Sequence, residues 1–416
     1  MYSWASVDVP RLPGASGEPS LILRDTASGE QVPIGPAEGV ARMYVCGITP
    51  YDATHLGHAN TYLTFDMIGR VWRDMGLEVN YTQNVTDVDD PLIERAAQTG
   101  QDWDELAEDQ IELFRSDMEA LRIIPPQHYV GAVESIKLVV DLVERLEDTG
   151  LVYQIDDPEH PDWYFRTNAV ETFGEVSDLD EAAMIESFRE NGGDPERPGK
   201  QHPLDSLLWR FSREGEPAWE SSLGAGRPGW HIECVAMSLE YLGPEFDLQG
   251  GGADLVFPHH EICAAQAHAI TSKPMAKAYV HSGLVALDGE KMSKSKGNLE
   301  LVSRLRKAGA DPMAIRLALL EHHYRDDWEW TAEQLERANR RLEQWRGAMN
   351  NMTSLNAAET IANMRAALRD DLRVKDAIAA VDTWVAASGA IEGDDTDGPA
   401  QMKAAVDALL GIQIQE

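Results

Sequence analysis

The sequence of 416 residues has few cysteines and contains no long apolar run. Its three cysteines, Cys46, Cys234 and Cys263, argue against a disulfide scaffold. An odd, sparse set is typical of a reducing cytosol, where cysteines more often bind metal or react. No stretch approaches ~18 uninterrupted apolar residues, so we expect no membrane span. The first twenty residues have no basic region followed by an apolar core, which predicts a mature cytoplasmic N-terminus.

Positive charge is also scarce, since 36 Lys and Arg stand against 71 Asp and Glu, a net charge of −35. A phosphate backbone would be repelled by this surplus unless a local basic patch overrode it, so we expect no nucleic acid partner. The hydrophobic fraction of 43% and the charged fraction of 26% are those of a globular chain. At roughly 150 residues per domain, the length predicts two or three domains.

The first strong pattern along the chain is a strand, helix and strand in residues 43–85. Residues 43–47 and 79–85 are strand-like, and the segment 58–75 between them has a helical apolar face. That face consists of Tyr62, Phe65, Ile68 and Trp72. This is one βαβ unit of a parallel sheet, so the sequence predicts an α/β fold.

The composition changes along the rest of the chain and divides it into segments. Residues 102–150 are predicted to be helical with a break at Pro125-Pro126, residues 151–222 are rich in Asp, Glu, Pro and Gly, and the region from about 299 is all-helical. We therefore predict an extended N-terminal segment (1–40), a first catalytic half (41–121), an inserted domain (122–222), a second catalytic half (223–298) and a C-terminal helical region (299–416).

A first candidate motif is His55-Leu56-Gly57-His58, placed between a strand and a helix. Imidazole donors and backbone N–H groups at a helix N-terminus suit nucleotide phosphates, and Gly57 permits close approach to the backbone. Taken alone, the motif is equally compatible with a capped helix that carries two surface histidines.

A second candidate motif is the lysine-rich segment KMSKS at residues 291–295, flanked by Gly289 and Gly297. Lys291 and Lys294 on a mobile loop would clamp a polyphosphate and stabilise charge on a departing pyrophosphate. The alternative interpretation is a solvated basic loop.

A third candidate is a metal site formed by Cys46, Cys234 and His259. Two thiolates and an imidazole suit a tetrahedral zinc ion with one open position. The spacing is too wide for a zinc-finger signature, and the two cysteines are also compatible with small buried hydrophobic residues.

These motifs together resemble one family. HLGH and KMSKS are the two signatures of class I aminoacyl-tRNA synthetase catalytic domains, and YVCG, GRPGWHIEC, GGGADLVFPHHE and LDGEKMSKSKGN resemble the cysteine-specific members. The segment GITPYDATHLGHANTYLTFD resembles most the cysteine ligases of mycothiol biosynthesis, which are related to those synthetases. The likeness runs from about residue 20 to beyond residue 330. It implies a Rossmann-like nucleotide-binding domain with an inserted domain and a C-terminal helical region.

The resemblance implies an ATP-dependent amide ligase that forms AMP. Such an enzyme activates L-cysteine with MgATP as cysteinyl adenylate and transfers it to the amine of glucosaminyl-inositol. It would hold one zinc ion through Cys46, Cys234 and His259. Cys263 stands where the synthetases have a fourth, glutamate ligand, so it is either a ligand or a bystander. The bystander is favoured, because the ligases imply three protein ligands.

The remaining site residues are also implied by position in the family. His55 and His58 would stabilise the phosphate, while Lys291 and Lys294 would follow the pyrophosphate. Trp230 would form a wall for the cysteinyl group, Asp254 would bind ribose hydroxyls and Val285 would border the adenine. The full set implied to contact ATP, cysteine or the adenylate is Cys46, Gly47, Ile48, Thr49, Gly57, Thr61, Asn84, Val85, Thr86, Trp230, Gly252, Ala253, Asp254 and Val285. Asn191 replaces an arginine of the family pattern, so no positive charge is assigned there.

Three alternatives remain open at this point. A cysteinyl-tRNA synthetase would share the adenylate step, although the acidic surface and the short C-terminal region disfavour it. A non-catalytic paralogue would bind nucleotide or cysteine for regulation. A plain α/β protein would use the histidines and cysteines in its core. The sequence does not identify the acceptor pocket: Trp163, Trp209 and Trp219 are candidates to stack on sugar faces, but such tryptophans are more often part of a core. The oligomeric state is also open, and we expect a monomer. The proton acceptor is not identified either, with His55 and Asp254 as candidates.

Overall fold

The computed structural model describes residues 1–14, 20–51, 54–287, 289–292, 298–390 and 394–415, without the side chains of Lys291 and Ala390. Within these residues the strands are β1 Ile22–Arg24, β2 Gln31–Pro33, β3 Val40–Val45, β4 Glu78–Val85, β5 His128–Gly131, β6 Val152–Gln154, β7 Trp163–Phe165, β8 Ser206–Phe211, β9 Gly226–Pro228, β10 Leu248–Gly252, β11 Tyr279–Ser282, β12 Val285–Leu287, β13 Glu290–Lys291 and β14 Trp328–Glu329. The α-helices are α1 Leu56–Asp74, α2 Asp90–Thr99, α3 Trp103–Ala120, α4 Ile136–Glu147, α5 Glu181–Glu190, α6 Trp230–Leu242, α7 Glu261–Thr271, α8 Val302–Lys307, α9 Pro312–Leu319, α10 Ala332–Met349, α11 Ala358–Arg369, α12 Val374–Ala390 and α13 Gly398–Leu410.

A five-stranded parallel sheet forms the centre of the molecule, with strand order β11-β10-β3-β4-β5. The predicted βαβ unit is β3, α1 and β4, and its two strands pair from Val40 with Glu78 to Val45 with Gln83. The predicted α/β class is therefore confirmed. Strand β3 begins three residues before the predicted start at 43, because its first residues pair with β4 although Val40 itself is exposed.

Strand β5 corrects the prediction that residues 102–150 are helical apart from a break. The chain leaves α3, passes Pro125-Pro126 and forms β5, which pairs in parallel with β4 before α4 begins. A four-residue strand carries too little periodicity to be separated from its helical surroundings. Because β5 follows the predicted boundary at 121, the catalytic sheet extends into the segment predicted as inserted.

A four-stranded antiparallel sheet, β6-β7-β8-β9, covers most of the segment predicted as inserted. Its connection to the catalytic sheet includes the buried carboxylate of Glu261 at the start of α7. This carboxylate accepts hydrogen bonds from the backbone N–H groups of Gly174, Val176 and Ser177 at 2.8, 3.0 and 2.7 Å. The inserted chain is thus fixed to the helix that follows His259.

The N-terminal segment, predicted to be extended, is anchored to the catalytic sheet. The indole of Trp4 is buried, donates to the carbonyl of Ile123 at 2.7 Å and packs edge-on against Phe114 and Tyr129. Strands β1 and β2 then form a short antiparallel hairpin. An apolar indole with a paired N–H explains why a segment rich in Pro, Gly and Ser nevertheless docks.

The C-terminal helices are tied to α1 by a buried ion-pair cluster. Asp66 pairs with Arg70 at 2.7 Å and with Arg316, and all three side chains are excluded from solvent. The same guanidinium groups reach the C-terminal helix: Arg70 donates to the carbonyl of Asp407 at 2.8 Å, and Arg316 to that of Leu410 at 2.7 Å. Burial opposes the charge on Asp66, but its two arginine partners outweigh burial and lower its pKa. No helix in the described part of the chain combines the length and apolarity needed to cross a membrane.

Candidate active site

The predicted site residues gather at the carboxyl ends of the parallel strands. Cys46 follows β3, Thr86 follows β4, Asp254 follows β10 and Ser282 ends β11. In open α/β sheets, ligands bind in the crevice at this edge. The sheet topology therefore assembles residues that are up to 236 positions apart in the sequence, from Cys46 to Ser282.

Cys46, Cys234 and His259 form a buried cluster. One ligand atom from each residue lies within 4.8 Å of those of the other two. Cys46 is fixed by its backbone N–H, which donates to the carbonyl of Gly250 at 3.0 Å, and Cys234 lies on α6. Two sulfur atoms and one imidazole nitrogen at this spacing fit a soft tetrahedral metal ion such as zinc.

The two thiols have different acidities. A hydrogen bond with Cys46 lowers the pKa of Cys234, and His259 lowers it further. Burial raises the pKa of Cys46, and the neighbouring Cys234 adds to this effect. One thiolate is thus stabilised by the chain itself, and a bound cation would favour ionisation of the second.

Cys263 belongs to a second buried group that contains His231 and His259. Its sulfur lies 3.3 Å from the carbonyl oxygen of His231 and 3.9 Å from Nε2 of His259. It is thus next to the cluster of Cys46, Cys234 and His259 without completing it. The role of Cys263 as a bystander stays a prediction.

Four polar residues that the sequence analysis did not assign form a chain of contacts that begins at Cys46. Its sulfur lies 3.2 Å from Nε2 of His260 and 3.4 Å from Nε2 of Gln249. Nδ1 of His260 lies 2.8 Å from Nε2 of His281, whose Nδ1 lies 2.7 Å from Oγ1 of Thr26. Burial lowers the pKa of His281 to about 4, so this ring is neutral at physiological pH. The one sequence signal for this chain of contacts was the second histidine of PHHE.

The predicted cysteine-contacting residues lie around this cluster. The ring of Trp230 stacks on His259, with centroids 4.3 Å apart and an interplanar angle of 21°. Oδ1 of Asn84 accepts from the N–H of Gly47 at 2.8 Å, and Nδ2 of Asn84 donates to Oγ1 of Thr86 at 3.2 Å.

The backbone also joins the two strand ends that carry these residues. The N–H of Thr86 donates to the carbonyl of Ile48 at 3.0 Å, and the carbonyl of Thr49 accepts from Tyr51 at 3.0 Å. Val85, between Asn84 and Thr86, is fully buried. A Cβ at Gly47 would overlap the backbone carbonyl of Asn84, so this position requires glycine.

The predicted phosphate-binding histidines lie at the start of α1. His55 is the N-cap, its Nδ1 accepts from the backbone N–H of His58 at 3.4 Å, and the two rings stack at 3.7 Å. A Cβ on Gly57 would lie 2.8 Å from the ring of His55, so the small residue permits this stacking. The helix start is therefore organised around both imidazoles.

The predicted nucleotide-binding residues lie at the ends of β10 and β11. Oγ1 of Thr61 lies 2.7 Å from Oγ of Ser282. A Cβ on Gly252 would touch Asp254 and reach to 3.9 Å from Oγ1 of Thr61, so the three residues are neighbours. Ala253 begins the short 3₁₀ turn that carries Asp254, and Val285 begins β12 in a buried position.

The lysines of the second motif cannot be placed in the site. The side chain of Lys291 and all of Lys294 lie outside the described residues. The chain that follows them returns to the first motif, since the N–H of Leu56 donates to the carbonyl of Glu300 at 2.9 Å. The described residues that follow the second motif thus lie next to the first motif.

Acidic residues that the sequence analysis did not assign lie near the cluster of Cys46, Cys234 and His259. Asp87 and Asp89 follow β4, and burial raises the pKa of each to about 6. Glu233 is buried on α6, and Oε2 has no hydrogen-bond partner. Burial raises the pKa of Glu233, and the charge of Asp89 raises it further.

The sequence of residues 34–340 matches the family described as tRNA synthetases class I (C) catalytic domain. Fold and site therefore define a catalytic domain of the class I synthetase type. Proteins named L-cysteine:1D-myo-inositol 2-amino-2-deoxy-alpha-D-glucopyranoside ligase are 58% identical in Streptosporangium roseum and 57% identical in Nocardia farcinica, each over 100% of both chains. The chain belongs to the family of these ligases, a branch of the class I synthetase domains.

Solved structures show the same fold at low sequence identity. Mycobacterium tuberculosis methionyl-tRNA synthetase in complex with methionyl-adenylate superposes with a TM-score of 0.62 at 15% identity, covering 89% of each chain. An Agrobacterium radiobacter leucyl-tRNA synthetase complex gives a TM-score of 0.65 at 10% identity, covering 91% of this chain and 84% of the other. The predicted fold class and ligase family are confirmed, and the cysteinyl-tRNA synthetase alternative is not. The individual residue roles stay predictions.

Proposed function

We propose that this protein activates L-cysteine with MgATP as cysteinyl adenylate and joins it to the amine of glucosaminyl-inositol, releasing pyrophosphate and AMP. The observation that carries the proposal is the buried set of Cys46, Cys234 and His259 at the same sheet edge as the histidine-bearing start of α1. Membership of the ligase family supports the choice of acceptor. We expect the enzyme to act in the cytoplasm, as a monomer, on small molecules.

The three cluster residues would hold a zinc ion. When bound, zinc supplies a soft Lewis acid that prefers a thiolate over a hydroxyl ligand, which favours cysteine over serine. The chain contributes ordered surroundings: Trp230 stacks on His259, and Asn84 fixes the backbone of Gly47. This arrangement would select substrate cysteine without an editing site.

The first half-reaction is the attack of the cysteine carboxylate on the α-phosphorus of ATP. His55, His58 and the N-terminus of α1 would stabilise the negative charge of the transferred phosphate, and Gly57 would let it approach the backbone. Lys291 and Lys294 would follow the departing pyrophosphate. Thr61, Gly252, Ala253 and Asp254 would hold the ribose, with Val285 beside the adenine.

In the second half-reaction, the acceptor amine attacks the activated carbonyl and AMP leaves. The new amide forms as the bond between the carbonyl carbon and the phosphate oxygen breaks. Orientation of the two reactants in one cavity supplies much of the rate enhancement. Asn84 and Thr86 would hold the cysteinyl group while this occurs.

The test is AMP release with ATP and cysteine, measured with glucosaminyl-inositol in one reaction and tRNA in another. We expect turnover with the aminosugar only, and product detection should show cysteinyl amide. Turnover with tRNA alone would overturn the proposal. Absence of cysteine-dependent exchange of pyrophosphate into ATP in zinc-replete protein would favour a non-catalytic binding protein instead.

A further inference from the structure

The acidic residues Asp87, Asp89 and Glu233 lie near the cluster of Cys46, Cys234 and His259 and have no role in the proposed reaction. Asp89 lies three residues after Thr86, at the carboxyl end of β4, and is half-buried. It is also the N-cap of α2, where Oδ1 accepts from the N–H of Asp90 at 2.8 Å. Asp89 interacts with His259, so it lies near the cluster of Cys46, Cys234 and His259.

Glu233 contributes a buried carboxyl oxygen that lacks a hydrogen-bond partner among the described residues. It is 1% exposed, immediately precedes Cys234 and leaves Oε2 without a hydrogen bond in the interior. Asp89 and Asp87 are both close enough for their charges to oppose ionisation of Glu233.

The nearby guanidinium of Arg227 already forms ion pairs with other carboxylates. The buried guanidinium of Arg227 pairs with Asp90 and, at 3.3 Å, with Glu216. It therefore bridges the start of α2 to the inserted sheet and only partly offsets the negative field at Asp89 and Glu233. A buried acceptor atom without a partner is unfavourable, so a site of this kind favours a donor that arrives with the substrate.

We propose that Asp89 and Glu233 bind a primary ammonium group of the substrate beside the thiol-binding cluster. The inference rests on the proposed function, which supplies two such groups: the α-ammonium of cysteine and the ammonium of the aminosugar acceptor. Both are compact cations with several N–H donors. Asp89 would supply the charge and Glu233 a hydrogen-bond acceptor, and the pair would set the orientation of the amine.

The electrostatics agree with this role. Burial raises the pKa of Asp89 to about 6, so it is a carboxylate at neutral pH. The charged groups that act on it are Asp90, Arg227 and His259. An ammonium placed here would lower the pKa of Asp89, because an opposite charge favours the ionised form.

The test is Asp89→Asn, compared with Glu94→Gln as a matched control. Asparagine is an equally good N-cap, so the variant removes charge while keeping the cap of α2. Glu94 is an exposed acidic residue on the same helix, so its variant makes the same change of charge away from the site. Each protein is assayed for cysteine-dependent pyrophosphate exchange and for ligation with glucosaminyl-inositol, and thermal unfolding of each is recorded.

We expect Asp89→Asn to raise the KM of one amine substrate by about 10- to 100-fold, and Glu94→Gln to leave both KM values unchanged. A raised KM for cysteine in the exchange assay identifies the α-ammonium as the ligand. A raised KM for the aminosugar with normal exchange identifies the acceptor. A folded Asp89→Asn protein with both KM values unchanged would overturn the inference. The wild-type reactions report separately on the proposed function, which fails if they show no ligation.

Discussion

The proposed thiol-binding end and the proposed phosphate-binding end of the site are built differently. Cys46, Cys234 and His259 are buried, whereas His55 and His58 at the start of α1 are only half-buried. A thiol is a small group that the site must distinguish from a hydroxyl, and an enclosed metal-binding cluster suits this task. A triphosphate must enter and a pyrophosphate must leave, so the other end stays open and depends on helix geometry and loop residues.

Cys234→Ser should give the largest effect, because it removes a ligand from the enclosed end. We expect loss of bound metal and a fall of about 1000-fold or more in cysteine-dependent pyrophosphate exchange, since the substrate thiol is no longer positioned. Metal content by mass spectrometry and the exchange assay measure both. Cys263→Ser is the matched control and should retain the metal. If it loses metal as Cys234→Ser does, Cys263 is a ligand.

Asp66→Asn tests whether the open end depends on the buried interior behind it. Removing one partner of a buried ion pair should cost about 3 kcal/mol in the free energy of unfolding. The pKa of Asp66 is lowered in the folded protein, so its contribution is present above its ordinary value and is lost as pH falls through the lower one.

Urea unfolding at a series of pH values measures this effect. The difference between wild type and Asp66→Asn should be largest near neutral pH and should shrink in acid. Asp141→Asn, which breaks an exposed pair with Lys137, should change little at any pH. A difference that grows in acid would contradict the assignment.

His58→Asn should separate the two ends in one variant. We expect exchange to fall by about 100-fold through loss of phosphate stabilisation, with metal content unchanged. Metal analysis alongside the exchange kinetics provides the comparison. Loss of metal in this variant would show that the two ends are not independent.

Gly47→Ala should have the smallest effect of the four. The new Cβ would overlap the carbonyl of Asn84, so the backbone must shift, at a cost of about 2 kcal/mol. Denaturant unfolding measures the loss. The control is Gly347→Ala on α10, where nothing lies within 4 Å of the new Cβ and alanine should stabilise the helix slightly. Equal effects of the two substitutions would argue against the close approach at Gly47.

The sequence predicted long periodic elements and motif-bearing residues better than it predicted their surroundings. Helix α1 was predicted from its apolar face, and its long pattern made the assignment secure. Strand β5 was missed because four residues carry almost no periodicity. The grouping of Cys46, Cys234 and His259 was expected from the family resemblance, but His281 and Thr26 reach the site through side-chain directions that no spacing encodes. Asp89 was overlooked because an acidic residue at a helix start has an ordinary capping explanation.

The carbonyl groups of Asp407 and Leu410 have a practical consequence for anyone who engineers this chain. They accept from Arg70 and Arg316, whose shared carboxylate partner lies on the same helix as His55 and His58. Ending the chain before Asp407 would leave two buried guanidinium groups without these acceptors. We expect this loss to destabilise α1, the helix whose start carries the histidines. A fusion partner or affinity tag after α13 therefore needs a spacer that leaves the hydrogen bonds of Arg70 and Arg316 intact.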